Sequence, residues 1–330
     1  MSSLSHSPYM ETIMYWRDQE SIKDCRLRFL GTKMIEMYSF KRNAIQLPSN
    51  QEAFADYVEF APARNNGICE TCKMGIVIPC HCISEQSRRQ IERLTICLAE
   101  QTEKPIVVIF VDDCSPISYS INGCPNAILL RQSENKGPAA ARSLGLKHAI
   151  KAGCDVIAFT DSDCVPSKDW LSAIKATFLN DRLCSIVSGK TVSYGKTWFD
   201  RYHERNGTLN GRRFKGMNCL LYGPTCNLAI TADVGKEVSF DEDFPHAAGE
   251  DINFCLQANR LGFRIKYNPL MIIQHDFGYT GAFFPDLKRF RRQFERYADG
   301  EKSLSERTLV ITFILNKQEK LVLAKNVVTK

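Results

Sequence analysis

The sequence predicts an α/β fold with a mixed, mostly parallel sheet flanked by helices. Between Gly75 and about Gly281, short apolar runs alternate with amphipathic stretches, a pattern typical of strand–helix–strand units. Two of the predicted strands end directly in aspartates. In an open α/β sheet, the carboxyl ends of the strands form the edge where ligands bind.

The predicted elements follow one another at short intervals, and polar residues mark their ends. Each strand is a short apolar run, and each helix carries apolar positions at three- and four-residue spacing. In chain order they are strand 76–78, helix 84–100, strand 106–111, strand 127–130, helix 138–152, strand 156–159 and helix 167–178, with Ser84 and Ser167 as N-caps.

Three regions are predicted along the chain. Residues 1–74 form a partly helical extension without recognisable chemistry, and residues 75–281 form the α/β domain. Residues 282–330 contain a basic amphipathic helix and a tail, in which Leu309–Leu315 is either a strand or a docking helix. The helix carries an apolar stripe: Phe283, Leu287, Phe290, Phe294 and Tyr297. Two roles stay open for the basic helix. It either docks with a solvated basic face, or it contacts a diphosphate, an anionic acceptor or a membrane surface.

Composition indicates an ordinary globular protein. Of 330 residues, 44% are hydrophobic and 24% are charged, and the net charge of +6 suits anionic substrates but is too small for a general nucleic-acid binder. Because no secretory signal opens the chain, we expect a cytoplasmic protein with reduced thiols, with peripheral contact at the inner membrane surface as an option. Four of its cysteines have zinc-like spacing, although packing thiols are the favoured interpretation: Cys69, Cys72, Cys80 and Cys82.

The Asp161-Ser162-Asp163 sequence is the first pointer to chemistry. The chain lacks both G-x-G-x-x-G after the first strand and a P-loop, so a bound diphosphate must be neutralised in another way. Carboxylate oxygens can hold Mg²⁺ or Mn²⁺, which bridges phosphate oxygens and stabilises a leaving nucleoside diphosphate. We therefore expect a divalent cation, Mn²⁺ or Mg²⁺, as cofactor.

Five sequence elements, in order over about 200 residues, resemble glycosyltransferase family 2. The resemblance implies a GT-A fold, with a Rossmann-like nucleotide-binding half and an acceptor half, and inverting transfer of a sugar from a nucleotide donor. The elements are Val77-Ile78-Pro79, Val111-Asp112-Asp113-Cys114-Ser115, Asn135-Lys136-Gly137 with Ala141-Arg142, Asp161-Ser162-Asp163, and Gly249-Glu250-Asp251.

The resemblance implies a base pocket formed by Pro79, the turn after it, and Asp113. Asp113 would accept a hydrogen bond from a pyrimidine imide, and Arg142 would contact the nucleotide unless it forms a surface salt bridge. Family members usually follow the strand proline with Thr-Tyr-Asn, whereas this chain has Cys80-His81-Cys82. His81 would stack on the base or serve as a structural histidine, so UDP is favoured but the base stays open.

The resemblance also implies a metal and sugar site. Asp161 would face the ribose or sugar, with Ser162 beside it, and Asp163 would bind the metal. His275, after a predicted strand, matches a position that adds a metal ligand in relatives; the alternative is a core histidine.

Asp251 is the predicted general base. A carboxylate opposite the leaving group can accept the proton of an acceptor hydroxyl, and the like charge of Glu250 should raise the proton affinity of the pair. The alternative is an acidic first turn that caps the amphipathic helix after Gly249. A single displacement of this kind inverts the anomeric carbon.

The expected partners are a nucleotide-sugar donor, with a UDP-sugar favoured, and an acceptor that is a carbohydrate, a lipid-linked sugar or a peptide. The group transferred would be a hexosyl or N-acetylhexosaminyl unit. We expect no nucleic-acid partner, and the oligomeric state stays open. Two alternatives remain: a catalytically silent nucleotide-sugar-binding protein, and a nucleotidyltransferase on a similar sheet. The second lacks its expected triphosphate loop after the first strand.

Overall fold

A computed structural model describes residues 62–213, 220–244 and 248–307. Ten strands and seven helices lie in these ranges. The strands are β1 (Met74–Cys80), β2 (Val107–Asp112), β3 (Ala127–Arg131), β4 (Val156–Thr160), β5 (Cys164–Pro166), β6 (Cys184–Ser193), β7 (Arg212–Arg213), β8 (Leu220–Tyr222), β9 (Asn227–Thr231) and β10 (Arg264–His275). The helices are α1 (Glu85–Ala99), α2 (Gly137–Lys151), α3 (Trp170–Asn180), α4 (Trp198–Asn206), α5 (Ala232–Glu237), α6 (Glu250–Arg260) and α7 (Phe283–Arg307).

Eight strands form one mixed sheet in the order β3-β2-β1-β4-β9-β6-β10-β5. The first four strands in this order are mutually parallel, and β6 is parallel to β10. Strand β9 runs antiparallel to both neighbours, and β5 runs antiparallel to β10. Strands β7 and β8 form a separate antiparallel pair. The predicted mixed, mostly parallel α/β fold is confirmed.

Two hydrophobic clusters cover the two faces of the sheet. Alternate residues of β1 point into different clusters, as the two-residue period of a strand requires. Ile76 and Ile78 pack with the apolar side of α1, whereas Val77 packs with α2 and α6. A Cβ atom at Gly145 of α2 would overlap the side chain of Val77, so this glycine lets the helix lie directly on the strand.

The helix starts test the predicted caps. The hydroxyl of Ser84 accepts from the Ser87 backbone amide and completes a capping box, which confirms the predicted start of α1. The prediction that Ser167 caps the next helix is wrong. The Ser167 carbonyl accepts from Trp170 N at 3.0 Å in a turn, and α3 begins after that turn.

Residues 62–73 precede β1 without helical structure and pack on the domain. The Asn66 side chain donates to three backbone carbonyls around the end of α3, and Ile68 and Cys72 lie in the core. The rest of the predicted N-terminal extension, residues 1–61, lies outside the described residues. The proposed boundaries at residues 74 and 281 stay predictions.

Helix α7 docks through its aromatic side. Phe290 packs against Phe199, Tyr202 and His203, so much of the predicted apolar stripe is covered by α4. Leu309–Leu315 lies outside the described residues. Among the residues described, no helix is both long and apolar enough to span a bilayer. The basic side chains of α7 are exposed: Lys288, Arg289, Arg291, Arg292 and Arg296.

Candidate active site

The carboxyl ends of three neighbouring parallel strands form the floor of the candidate site. Cys80 at the end of β1 lies opposite Asp112 at the end of β2, and Val77 lies opposite Phe159 of β4. Pro79 and His81 therefore share one edge of the sheet with Asp113 and with the Asp161-Ser162-Asp163 turn, as the sequence predicted. This is the edge where open α/β sheets bind ligands.

Asp113 is 4% exposed and is held by three donors. Its Oδ1 accepts from Lys136 N at 2.7 Å and from Gln132 Nε2 at 2.8 Å, and its Oδ2 accepts from Gly137 N at 2.8 Å. The N-cap residue of α2, Lys136, supplies no side-chain cap of its own. The carboxylate of Asp113 thus caps α2 and joins the end of β2 to the start of that helix.

His81 lies on the surface of the cleft and hydrogen-bonds through its Nδ1 to the backbone oxygen of Asp113 at 2.9 Å. The side-chain amide of Asn135 lies 3.2 Å from the same nitrogen. Because the backbone oxygen of Asp113 can only accept a hydrogen bond, Nδ1 must carry the proton. These contacts orient the ring at the mouth of the predicted base pocket and leave the ring itself exposed.

Arg142 bridges two distant parts of the chain. It is 2% exposed; its Nη1 donates to Glu250 Oε1 at 2.7 Å and its Nη2 to Asp161 Oδ1 at 2.7 Å. This corrects the expected surface salt bridge, because the guanidinium is buried with both ends on carboxylates. Its contact with a nucleotide stays a prediction. Burial opposes its charge, yet the two carboxylates hold the pKa of Arg142 above its usual range.

Glu250 and Asp251 open α6 directly after Gly249, whose φ of 90° is left-handed. Burial, and then the charge of Asp251, raises the pKa of Glu250 to about 7 against the opposing effect of Arg142. Burial also raises the pKa of Asp251, and Asp161 adds to the rise. The predicted upward direction agrees with these shifts, although burial is the leading cause. Asp251 is partly exposed, whereas Glu250 is buried.

Asp163 and His275 come together as the sequence predicted. Asp163 Oδ1 lies 3.3 Å from His275 Nε2, and Cys164 joins them so that one ligand atom from each of the three lies within 4.8 Å of the others. Burial raises the pKa of Asp163, and Asp161 reinforces the rise while His275 opposes it. His275 Nδ1 is buried without a hydrogen-bond partner among the described residues. Oxygen and nitrogen donors with this spacing fit a divalent cation.

Sequence reasoning missed two neighbours of the site. Cys164 directly follows the D-x-D sequence, but only its pairing with β10 brings it to His275. Burial raises the pKa of Tyr297 of α7 above its usual range, and the negative charge of Asp251 adds a smaller rise, which places Tyr297 near Asp251. The stripe that contains Tyr297 was visible in the sequence, whereas the crossing of α7 over the start of α6 was not.

The four cysteines with zinc-like spacing do not form a metal-binding group. Cys72, Cys80 and Cys82 are buried in the hydrophobic core, whereas Cys69 is exposed and its thiol contacts Thr71 at 3.2 Å. In the described ranges, the cluster of Asp163, Cys164 and His275 is the one group with metal-ligand spacing. The packing interpretation is therefore the better one.

The sheet topology, with acidic side chains gathered at the carboxyl edge, defines the class of this protein: it has the GT-A fold of glycosyltransferases. Residues 76–236 match the family described as glycosyl transferase family 2. The resemblance that the motifs predicted is thus confirmed over residues 76–236, which make up just under half of the chain.

Two relatives are similar to this chain in sequence, and one solved structure is similar in fold. A pre-mycofactocin glycosyltransferase of Mycobacterium tuberculosis is 30% identical over 181 residues, which cover 51% of this chain and 37% of the relative. An uncharacterized glycosyltransferase of Rickettsia felis is 28% identical over 232 residues, covering 66% and 36%. The crystal structure of GalNAc-T7 with UDP, GalNAc and Mn²⁺ has a similar fold, with a TM-score of 0.50 at 17% identity, covering 69% of this chain and 48% of that one. The chain therefore spans little more than a third of the two curated relatives.

Proposed function

We propose that this chain transfers a sugar from a nucleoside diphosphate donor, with a UDP-sugar favoured, to an acceptor hydroxyl with inversion of configuration. The observation that carries the proposal is the convergence of carboxylates from the end of β4 and the start of α6. Arg142 ties these two elements together through Asp161 and Glu250, at 2.7 Å each. A family 2 domain with such a cleft supports donor binding beside a proton acceptor.

Asp163 and His275 are the residues that would hold Mn²⁺ or Mg²⁺. When bound, the cation would supply Lewis-acid stabilisation of the charge that develops on the leaving diphosphate. The pocket formed by Pro79, His81 and Asp113 would receive the nucleobase, and Asp161 and Ser162 would face the ribose or sugar. Asp113 Oδ2 has one donor, Gly137 N, which leaves a lone pair for an imide.

Asp251 is the better candidate of the two acids for the general base. Its carboxylate is partly exposed and its pKa is raised, which brings its proton affinity closer to neutral pH, where a general base works most efficiently. Glu250 is 3% exposed and is paired with Arg142, so an acceptor alcohol has little access to it. We therefore assign Glu250 a positioning role, holding the first turn of α6 against Arg142.

The group transferred, a hexosyl or N-acetylhexosaminyl unit, and the acceptor, a carbohydrate, lipid-linked sugar or peptide, stay predictions. So do the cytoplasmic location and the peripheral membrane contact. The nucleotidyltransferase alternative has no support from the family match. The catalytically silent alternative would bind donor without turnover, so the decisive measurement combines binding with turnover.

Asp251→Asn tests the proposed base. Isothermal titration with a panel of nucleotide sugars and Mn²⁺ first identifies the donor, and donor hydrolysis or transfer then gives turnover. We expect near-normal donor affinity and turnover lower by about 10²–10⁴-fold, the usual contribution of a general base. Asp233→Asn removes a carboxylate on exposed α5 that pairs with Lys236, and it should leave both quantities unchanged. Wild-type turnover in Asp251→Asn would refute the assignment.

Asp163→Ala tests the proposed metal site. Donor affinity of the wild-type chain should rise on adding Mn²⁺, because the cation neutralises the diphosphate. The variant should lose most of this Mn²⁺-dependent gain while its affinity in chelator stays the same, as measured by titration calorimetry at matched Mn²⁺. An equal gain in the variant would remove Asp163 from the metal site.

A further inference from the structure

Cys164 and His275 form a directly opposed pair at the edge of the sheet. In the antiparallel pairing of β5 with β10, these two residues are in register, and opposed residues direct their side chains to the same face. The Cys164 Sγ lies 3.9 Å from Asp163 Oδ1, which in turn lies 3.3 Å from His275 Nε2. A thiol therefore lies beside the carboxylate and the imidazole of the candidate metal site.

This donor set differs from an all-oxygen site. Mg²⁺ and Mn²⁺ prefer oxygen ligands, whereas a thiolate favours softer ions, and carboxylate, imidazole and thiolate are together the three ligand types of Zn²⁺. With metal–ligand distances of about 2.0–2.3 Å, tetrahedral ligands lie roughly 3.3–3.8 Å apart. The atoms here lie within 4.8 Å of one another, so small side-chain rotations suffice.

A second observation points to a ligand at the same place. His275 is 9% exposed, and its Nδ1 has no hydrogen-bond partner among the described residues. A buried ring nitrogen without a partner is costly unless a ligand or water satisfies it. The imidazole therefore presents Nε2 to the Asp163 carboxylate, 3.3 Å away, while its other nitrogen, Nδ1, has no protein partner in the described ranges.

We propose that Cys164 is a third ligand in this site when a thiophilic divalent cation occupies it, so that Zn²⁺, Co²⁺ and Cd²⁺ compete with Mn²⁺ and Mg²⁺ there. The inference rests on the proposed function for its setting in the donor site. On coordination, the Cys164 sulfur bonds to the cation and its proton leaves to solvent, with no change of oxidation state. Thiophilic ions would therefore occupy the position that the catalytic cation needs.

Cobalt spectroscopy tests the thiolate directly. Titrating metal-free protein with Co²⁺ should produce a thiolate-to-cobalt charge-transfer band in the near ultraviolet. The band should be lost in Cys164→Ser, in Cys164→Ala and in His275→Gln, and it should persist in Cys226→Ser, a matched control in the same core cluster. A band that persists in both Cys164 variants would place the thiolate elsewhere and overturn the proposal.

Competition gives a second readout. In the room-temperature electron paramagnetic resonance spectrum, free Mn²⁺ gives a much stronger signal than bound Mn²⁺. The displacement of Mn²⁺ by Zn²⁺ can therefore be followed as an increase in the signal of free Mn²⁺. Removing the thiolate in Cys164→Ala should raise the Zn²⁺ concentration needed by about tenfold or more, equivalent to about 1.4 kcal/mol of binding free energy. Equal displacement in both proteins would refute the role of Cys164.

The outcomes separate this inference from the proposed function. If wild-type protein shows Mn²⁺-dependent donor binding but no charge-transfer band with Co²⁺, the proposal for Cys164 fails and the transferase proposal stands. If neither Mn²⁺ nor Co²⁺ binds and no donor binds, both fail. Retained Mn²⁺-dependent donor binding in Cys164→Ser, together with loss of the band, supports both.

Discussion

Replacing Arg142 by alanine removes the cation that joins the two halves of the cleft. The side chains of Arg142 and Glu250 are each 3% exposed, so the change leaves a buried carboxylate without its counter-charge. Removing one partner of a buried ion pair typically costs about 3–5 kcal/mol of folding free energy. We expect a loss in this range for Arg142→Ala near pH 8.

The loss of folding free energy should depend on pH, because the Glu250 carboxylate is neutralised when it takes up a proton. Its pKa in the folded chain is about 7, already above the ordinary value of 4.5, and without Arg142 it should rise further. Below pH 7 the carboxyl is largely protonated in both proteins. Above pH 7 the wild type loses the proton and the variant keeps it, so the stability deficit grows by about 1.4 kcal/mol per pH unit, or roughly 2 kcal/mol between pH 7 and 8.5.

Urea denaturation at pH 6.0 and 8.5 measures both effects. Arg88→Ala is a matched control, because Arg88 pairs with Glu85 on the exposed side of α1 and its removal should change stability by less than about 0.5 kcal/mol. The Arg142→Met/Glu250→Gln double variant should recover much of the loss, because the buried carboxylate of Glu250 is removed together with its counter-charge and only the partly exposed Asp161 loses a partner. A deficit below about 1 kcal/mol at both pH values would refute the reasoning.

Two further predictions concern His203 and Asp113. Burial, with a smaller effect of His275, lowers the pKa of His203 to about 3, so the unfolded chain takes up a proton below pH 6.5 that the folded chain does not. The wild type should therefore lose about 2 kcal/mol more stability than His203→Asn between pH 6.5 and 5, measured by thermal or urea unfolding, and parallel pH profiles would contradict this. Asp113→Ala removes the cap of α2 and should cost about 1–2 kcal/mol in urea unfolding, whereas the exposed control Asp233→Ala should cost little; an unchanged midpoint would leave Asp113 without a structural role.

Most of the fold could be predicted from local sequence signals. The apolar runs that became β1, β2 and β4 are fully or almost fully buried on both faces, so they read as continuous hydrophobic segments bounded by polar residues. Because parallel strands share one carboxyl edge, the aspartates after β2 and β4 lie at the same edge of the sheet. Ser84 was recognisable because its cap contacts lie within three residues. Ser167 misled because a turn between it and α3 has the same composition as a cap.

The features that could not be predicted from the sequence depend on contacts between elements that are distant along the chain. The pairing of Cys164 with His275 requires the register of β5 on β10, which no local pattern encodes. Whether Arg142 is exposed or buried depends on where the start of α6 lies relative to α2. Its helical position alone is compatible with both, so the choice between an exposed and a buried guanidinium needed the tertiary structure.

The buried position of Arg142 follows from the charge of the cleft. Asp161, Asp163, Glu250 and Asp251 bring four carboxylates to one edge of the sheet, where burial and mutual repulsion raise the pKa of three of them. A nearby cation opposes this rise and so favours the negative charge that attracts a divalent ion. Arg142 contacts the acids that belong to the two different elements and lowers the pKa of both Glu250 and Asp251. A buried guanidinium can therefore contribute to the site as the carboxylates do, because it opposes the rise in the pKa of Glu250 and Asp251.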